Sequence, residues 1–252
     1  MRSKILSDDW TKTLHLQDNR TVEFHNQAGL YYSTRVPRQG RALAYHYPSC
    51  DALMGCIGNE VFRLNLDQGR YMNSLVLSPD VEGVNAIDIN PAHQLLGFAT
   101  EASGDGTVEF WDPRARSRVG ILRMPRHQIL PISSALSTSA GLEVTALSFR
   151  SDGLSLAVGT STGHTLLYDL RSPHHYALKD QGYGLPMKSV CWVEGGMNMA
   201  GDGMVISADS KVIKIWDRNT VRMYDLFLLN RISKHFTTAW GQFCFRHTCD
   251  RR

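Results

Sequence analysis

The sequence has 252 residues, 42% of them hydrophobic and 20% charged, with a net charge of +3. That length and balance fit an ordinary folded chain able to bury a sizeable core, and they exclude a disordered polyelectrolyte. No apolar run reaches the ~18 residues of a membrane span, and Asp8 and Asp9 interrupt the place where a signal peptide needs its apolar core.

The five scattered cysteines, Cys50, Cys56, Cys191, Cys244 and Cys249, are an odd set unlike a disulfide framework, and read as reduced thiols of a cytosolic or nuclear chain. Residues 221–252 hold six Lys/Arg against two Asp/Glu, which leaves residues 1–220 at a net −1. Whole-chain pI is therefore poor evidence for nucleic-acid binding, and only local clusters carry that argument.

In chain order, TVEFHN (21–26), EVFRLNL (60–66), TVEFWD (107–112), TLLYDL (165–170) and VIKIWD (212–217) are short runs of period-2 alternation, each a strand signal. With His25, Asn65, Trp111, Tyr168 and Trp216 as equivalent positions, the separations are 40, 46, 57 and 48 residues. A four-stranded propeller blade repeats every ~40–45 residues, so these spacings fit blades with loop insertions. Upstream of each anchor lie a strand, a polar turn and a second strand rich in small residues, giving blade cores at 4–26, 40–66, 84–112, 144–169 and 187–217.

Ala99, Ala157, Gly159 and Ala208 are expected where inner strands of neighbouring blades crowd toward the axis, and Gly106, Gly153 and Gly163 in turns, where φ > 0 is often needed. The pattern predicts an all-β propeller over residues 1–220. Residues 121–143 read as a long functional or disordered loop. Residues 221–252 show no Asp-Gly turn, alternation or anchor, so the repeat is expected to stop after Thr220 and leave a divergent basic tail.

The Trp-Asp pairs resemble those of WD40 propellers. A longer set of segments, EFHNQAGLYYSTRVP (23–37), YHYPSCD (45–51), VFRLNLDQGRYMN (61–73), WDPRARSRVG (111–120), VGTSTGHTLLYDLRS (158–172) and YGLPMKSV (183–190), resembles the nucleolar protein 10 family. The resemblance implies a non-catalytic scaffold of the small-subunit processome, active in precursor rRNA processing in the nucleolus of the nucleus. Its implied partners are ribosome-assembly proteins and precursor rRNA, with no cofactor, membrane or small-molecule substrate. It also implies a blade before the first seen here and more chain after the last, so an incomplete, open ring of five WD40-type blades is expected.

Residues 113–126 hold five arginines, Arg114, Arg116, Arg118, Arg123 and Arg126, and no acid. Guanidinium groups suit bidentate contact with phosphate or carboxylate, which makes this a candidate partner or RNA site. The competing reading is an outer strand protected by charge from edge pairing. Arg35, Arg38 and Arg41 form a second cluster of the same kind.

Trp111, Asp112, Tyr168, Asp169, Trp216 and Asp217 read as structural blade anchors, the aromatics ending inner strands and packing on the next blade. The Gly-His histidine that usually bonds such a Trp in WD40 proteins is missing, so an incomplete network between blades is expected. Asp105, Asp152, Asp169 and Asp217 read as Asx-turn residues.

Cys244, His247 and Cys249 lack a fourth zinc ligand, so no metal is expected. GTSTG (159–163) precedes a strand rather than the helix of a nucleophile elbow. A propeller enzyme requires convergent acids in the channel, where the inner strands are expected to offer small and apolar residues. An alternative class, a WD40 substrate receptor of a cullin-type ubiquitin ligase, rests on FWDPR (110–114) and IWDR (215–218).

Overall fold

The computed structural model describes residues 2–7, 11–102, 105–129, 141–193 and 203–228. Five antiparallel four-stranded sheets follow one another along the chain. The first holds β1 (Arg2–Ile5), β2 (Thr13–Leu16), β3 (Thr21–Asn26) and β4 (Gly29–Arg35). The second holds β5 (Gly40–His46), β6 (Asp51–Cys56), β7 (Glu60–Asn65) and β8 (Arg70–Val76). The third holds β9 (Val81–Ile89), β10 (Leu96–Ala102), β11 (Thr107–Asp112) and β12 (Ser117–Arg123), followed by the one-turn helix α1 (Arg126–Ile129). The fourth holds β13 (Val144–Phe149), β14 (Ser155–Thr160), β15 (His164–Asp169) and β16 (His175–Asp180). The fifth holds β17 (Ser189–Val193), β18 (Met204–Ala208), β19 (Val212–Asp217) and β20 (Met223–Leu228).

Each sheet is a propeller blade, and the core is a series of layers between neighbouring blades. Leu14, Leu16 and Val22 pack on Ala52, Met54 and Leu64, while Leu53 and Val61 pack on Val84, Phe98 and Trp111. Val108 and Phe110 meet Phe149, Leu156 and Tyr168, and Leu167 meets Val190, Val205 and Trp216. Successive side chains of a strand point to opposite faces, so each strand meets the preceding blade with one set and the following blade with the other.

The inner strands pack in succession, β1 on β5, β5 on β9, β9 on β13 and β13 on β17. No comparable packing joins β17 to β1 among the described residues, so the blades form an open arc.

Ala99, Ala157, Gly159 and Ala208 lie on second strands. There they let the following inner strand approach. A Cβ on Gly159 would sit 2.8 Å from Met187, and one on Gly55 would sit 2.7 Å from Val84.

Trp111 and Trp216 end third strands and pack on the preceding blade. Leu64, not Asn65, is their counterpart, since Ala52↔Leu64 matches Val205↔Trp216 in register. The repeat does not stop after Thr220, because β20 pairs with β19 from Val212↔Leu228 to Trp216↔Met223. Its alternation escaped notice because MYDLFL is apolar at nearly every position. Cys50 and Cys56 are free thiols.

Candidate functional site

In an antiparallel meander the turns alternate between two ends of the sheet. First-to-second and third-to-fourth turns share one rim, called lower here. Second-to-third turns and the links to the next blade share the upper rim. The β11–β12 turn therefore places Arg114 and Arg116 on the lower rim, with Arg118 near the lower end of β12. Arg123 ends β12 at the upper side, and Arg126 follows it in α1. Arg35, Arg38 and Arg41 also lie toward the upper rim, at the end of β4, in the link, and at the start of β5. The two arginine clusters do not merge into one stripe.

Their chemistry divides them further. Asp112 accepts the Arg114 backbone N–H at 2.8 Å, closing the turn, and Arg116 holds the left-handed region at φ 51°. Arg114, Arg116, Arg123 and Arg35 are exposed and have no ion pair with any described residue. Arg118 reaches Ser78 Oγ at 2.5 Å and lies 3.9 Å from Glu109. Arg38 donates to the Ile57 carbonyl at 3.5 Å.

Arg41 is bound internally: its guanidinium contacts Glu101 and donates to Asn85 at 3.1 Å. It is an inner-strand residue, so its placement in an outer-strand cluster is corrected. Asn85 bonds on to Glu143 and the Val144 carbonyl, and burial and then Glu101 raise the Glu143 carboxyl. Across the channel, burial lowers Lys4 to about 8 against the pull of Asp88. Charged groups thus join the small and apolar residues that the inner strands carry.

The third strand ends in Asn26, Asn65, Asp112, Asp169 or Asp217, and each side chain accepts a backbone N–H of the turn that follows, at 2.7–2.9 Å. This is an Asx turn repeated in every blade. Asp152 does the same for Leu154 and Ser155. Asp169 also binds Arg171, which holds its carboxyl down at about 2. The carboxylates of Asp112, Asp152, Asp169 and Asp217 are consumed by turns while Arg114 and Arg116 project.

The Trp111 and Trp216 indoles find partners without the Gly-His histidine, while buried Asp209 Oδ2 and Thr165 Oγ1 have no hydrogen-bond partner among the described residues. The Trp216 indole donates to Ser207 Oγ at 3.1 Å, and that hydroxyl donates to Gln181 Oε1 at 3.0 Å. Gln181 also donates to the carbonyls of Ser207 and Val212. In the third blade the Trp111 indole donates to Glu109, which accepts the Ser78 N–H with its other oxygen. Glu109 was legible as a charge on the Trp111 face of TVEFWD, two residues before the anchor. Gln181 carried no such signal.

YHYPSCD builds a buried polar group. Arg63 bonds Asp51 at 2.5 and 3.2 Å, Asn65 bonds the other Asp51 oxygen at 3.0 Å, and Ser49 bonds His46 at 2.7 Å. Burial pushes the Asp51 carboxyl up, but Arg63, Asn65 and Ser49 together hold it below its ordinary value.

Among the described residues no three His, Cys, Asp or Glu side chains are grouped to hold a metal, and no helix is long and apolar enough to cross a membrane. Cys244, His247 and Cys249 lie outside the described residues. GTSTG is a strand and turn between β14 and β15.

Comparison with known proteins gives the architecture a family. The chain is 54% identical over 222 residues to the Schizosaccharomyces pombe protein named ribosome biogenesis protein enp2 homolog, covering 86% of this chain and 34% of that one. It is 43% identical over 221 residues to nucleolar protein 10 of Homo sapiens, covering 88% and 30%. It thus spans about a third of the length of these relatives.

A solved structure described as the crystal structure of mitotic checkpoint complex has a chain with a TM-score of 0.67 at 18% identity, covering 87% of this chain and 61% of that one. At that identity the likeness concerns the fold alone. The family described as nucleolar protein 10-like, N-terminal domain, a β-propeller, matches residues 1–238, and the chain belongs to it.

Proposed function

We propose that the chain is a non-catalytic propeller scaffold in small ribosomal subunit biogenesis, working in the nucleolus within the small-subunit processome. The observation that carries this reading is identity of 43–54% along some 220 residues with proteins named for ribosome biogenesis or the nucleolus. The blades supply rigid rims. Arg114, Arg116 and Arg118 form the contact for assembly proteins and precursor rRNA, because Arg114 and Arg116 are exposed with no ion pair to any described residue and Arg118, though it approaches Glu109, is largely exposed beside them. Family membership also weighs against the ubiquitin-ligase alternative, which rests on two four-residue endings.

The test is affinity purification of the tagged chain with and without Arg114→Ala/Arg116→Ala/Arg118→Ala, at low and high salt. Assembly factors and precursor RNA are expected with the parent and depleted with the variant. Recovery of a ligase adaptor in their place would overturn the reading.

A further inference from the structure

The lower rim carries a second feature beside the arginines. Between the first and second blades opens a cleft of about 530 Å³ walled by Phe24, Tyr31, Tyr32, Tyr45 and Tyr47. That volume lies within the range of small-ligand sites. Tyr31 is 72% exposed and Tyr47 51%. The rings pack edge to face, Tyr45 with Tyr47 at 4.9 Å and 83°, and Phe24 with Tyr31 at 5.8 Å and 84°. Among the described residues Asp67 and Lys12 also line the cleft.

The cleft and the arginine turn adjoin. Tyr47 begins the short turn Tyr47–Ser49. Ser49 and its neighbour His46 share the wall of a small cavity with Pro113, the residue before Arg114. One rim therefore presents aromatic rings followed by guanidinium groups that no described carboxylate pairs.

We infer that this rim binds single-stranded RNA, with bases stacked on Tyr31 and Tyr47 and phosphates held by Arg114 and Arg116. Flat apolar groups alternating with anions complement such a surface, and stacking on aromatics with phosphate contact is how single strands are held without sequence preference. A proline-rich peptide would fill the cleft and leave the arginines unanswered. An acidic peptide would meet the arginines and leave the rings bare. Duplex RNA keeps its bases stacked on one another and out of reach. The inference rests on the ribosome-assembly reading and gives its RNA contact a chemistry.

The test is fluorescence anisotropy of the 252-residue chain with a labelled 12-nucleotide oligo(U), against the same strand in duplex with oligo(A). Single-strand binding is expected to be the tighter. Tyr31→Ala/Tyr47→Ala should weaken it about tenfold or more, while Tyr31→Phe/Tyr47→Phe retains it. Arg114→Ala/Arg116→Ala should lower the salt slope by about 1.4, from ~0.7 per phosphate contact on a single strand. Arg35→Ala/Arg123→Ala, away from this rim, should leave binding unchanged.

Equal affinity for duplex, or full binding by the tyrosine-to-alanine variant with its thermal unfolding intact, would overturn the inference. So would displacement of the strand by a proline-rich peptide and not by unlabelled oligo(U). In any of these cases continued recovery of assembly proteins by the parent chain would leave the scaffold reading standing.

Discussion

Glu109 accepts the indole N–H of Trp111 at 3.1 Å and, through its other oxygen, the backbone N–H of Ser78 at 2.9 Å. The first bond fixes the aromatic anchor of the third blade, and the second fixes the link arriving from the second blade. A carboxylate that is 1% exposed between two donors joins the blades, with Arg118 at 3.9 Å as its nearest cation.

Glu109→Ala is therefore expected to destabilise the chain by about 3 kcal/mol, because it leaves two buried donors unpaired and opens a cavity. Glu109→Gln is expected to cost less, since its amide oxygen still accepts one of the two bonds. Urea denaturation of both variants measures the difference, and equal midpoints for Glu109→Ala and the parent would refute the role.

The arginine turn should behave in the opposite way. Arg114→Ala and Arg116→Ala are expected to change stability by no more than about 0.5 kcal/mol each, as exposed substitutions usually do. Arg118→Ala is expected to cost about 1 kcal/mol, because it gives up the Ser78 bond beside the Glu109 carboxylate. Thermal unfolding of the three single variants separates the structural arginine from the two that project.

Acid should act on the second blade through Asp51. Its folded-state carboxyl sits below the ordinary range because the bonds from Arg63, Asn65 and Ser49 outweigh burial. A depressed value contributes stability that is fully present above the unfolded value near ~3.9 and is lost as pH falls through the folded value. The urea midpoint should hold from pH 7 to about 4 and then drop. Asp51→Asn should lower stability at pH 7 by about 3 kcal/mol and flatten the drop below pH 4, since Arg63 is then a buried cation without its partner. An unchanged acid limb in Asp51→Asn would assign the acid sensitivity elsewhere.

Much of this was legible in the sequence, for reasons that vary by residue. The all-β class and the blade rhythm were readable because TVEFWD, TLLYDL and VIKIWD must bury alternate faces. Asp112, Asp169 and Asp217 were readable because a strand-ending Asp caps the next turn wherever it occurs. Which strand of a blade each run forms was not, since inner and third strands alternate alike and differ only in their neighbours. The placement of Arg41 failed for that reason: sequence proximity to Arg35 and Arg38 hid its position on β5, where Glu101, 60 residues away, meets it. β20 failed because a run apolar at most positions has no period to detect.

Truncation at Thr220 tests that last point. The sequence alone suggests that the repeat stops there and leaves a divergent tail, but β20 covers the edge of β19 along its length. Removing it strips β19 of ladder partners and leaves an unpaired edge beside Trp216. The shortened chain is expected to aggregate or to lose amide protection across β19, measured by hydrogen exchange. Full protection of β19 without residues 221–252 would show that β20 contributes nothing to the blade.

Gln181 provides the sharpest test of how this family member joins its last two described blades. The residue is 1% exposed and uses its whole amide: Oε1 accepts from Ser207, and Nε2 donates to the carbonyls of Ser207 and Val212 at 3.2 and 3.1 Å. Ser207 in turn accepts the Trp216 indole, so the fourth blade's exit is tied to the aromatic anchor of the fifth. Gln181→Leu keeps the volume and removes every bond, taking a partner from the Ser207 hydroxyl and carbonyl, while the Val212 carbonyl still accepts the Asp209 N–H at 3.0 Å. Each buried group left unpaired costs about 1–3 kcal/mol, so a loss of about 3 kcal/mol is expected. Gln181→Glu keeps the acceptor for Ser207 but brings an unpaired charge against two carbonyls, and should be worse at pH 8 than at pH 5, where a carboxyl raised by burial is protonated and donates once. Ser207→Ala should cost less than Gln181→Leu, because it removes one hydroxyl while Gln181 keeps both carbonyl bonds. If Gln181→Leu instead proves as stable as the parent in urea, the contact between these blades is apolar packing alone, and the Gln181–Ser207–Trp216 chain of bonds is incidental to it.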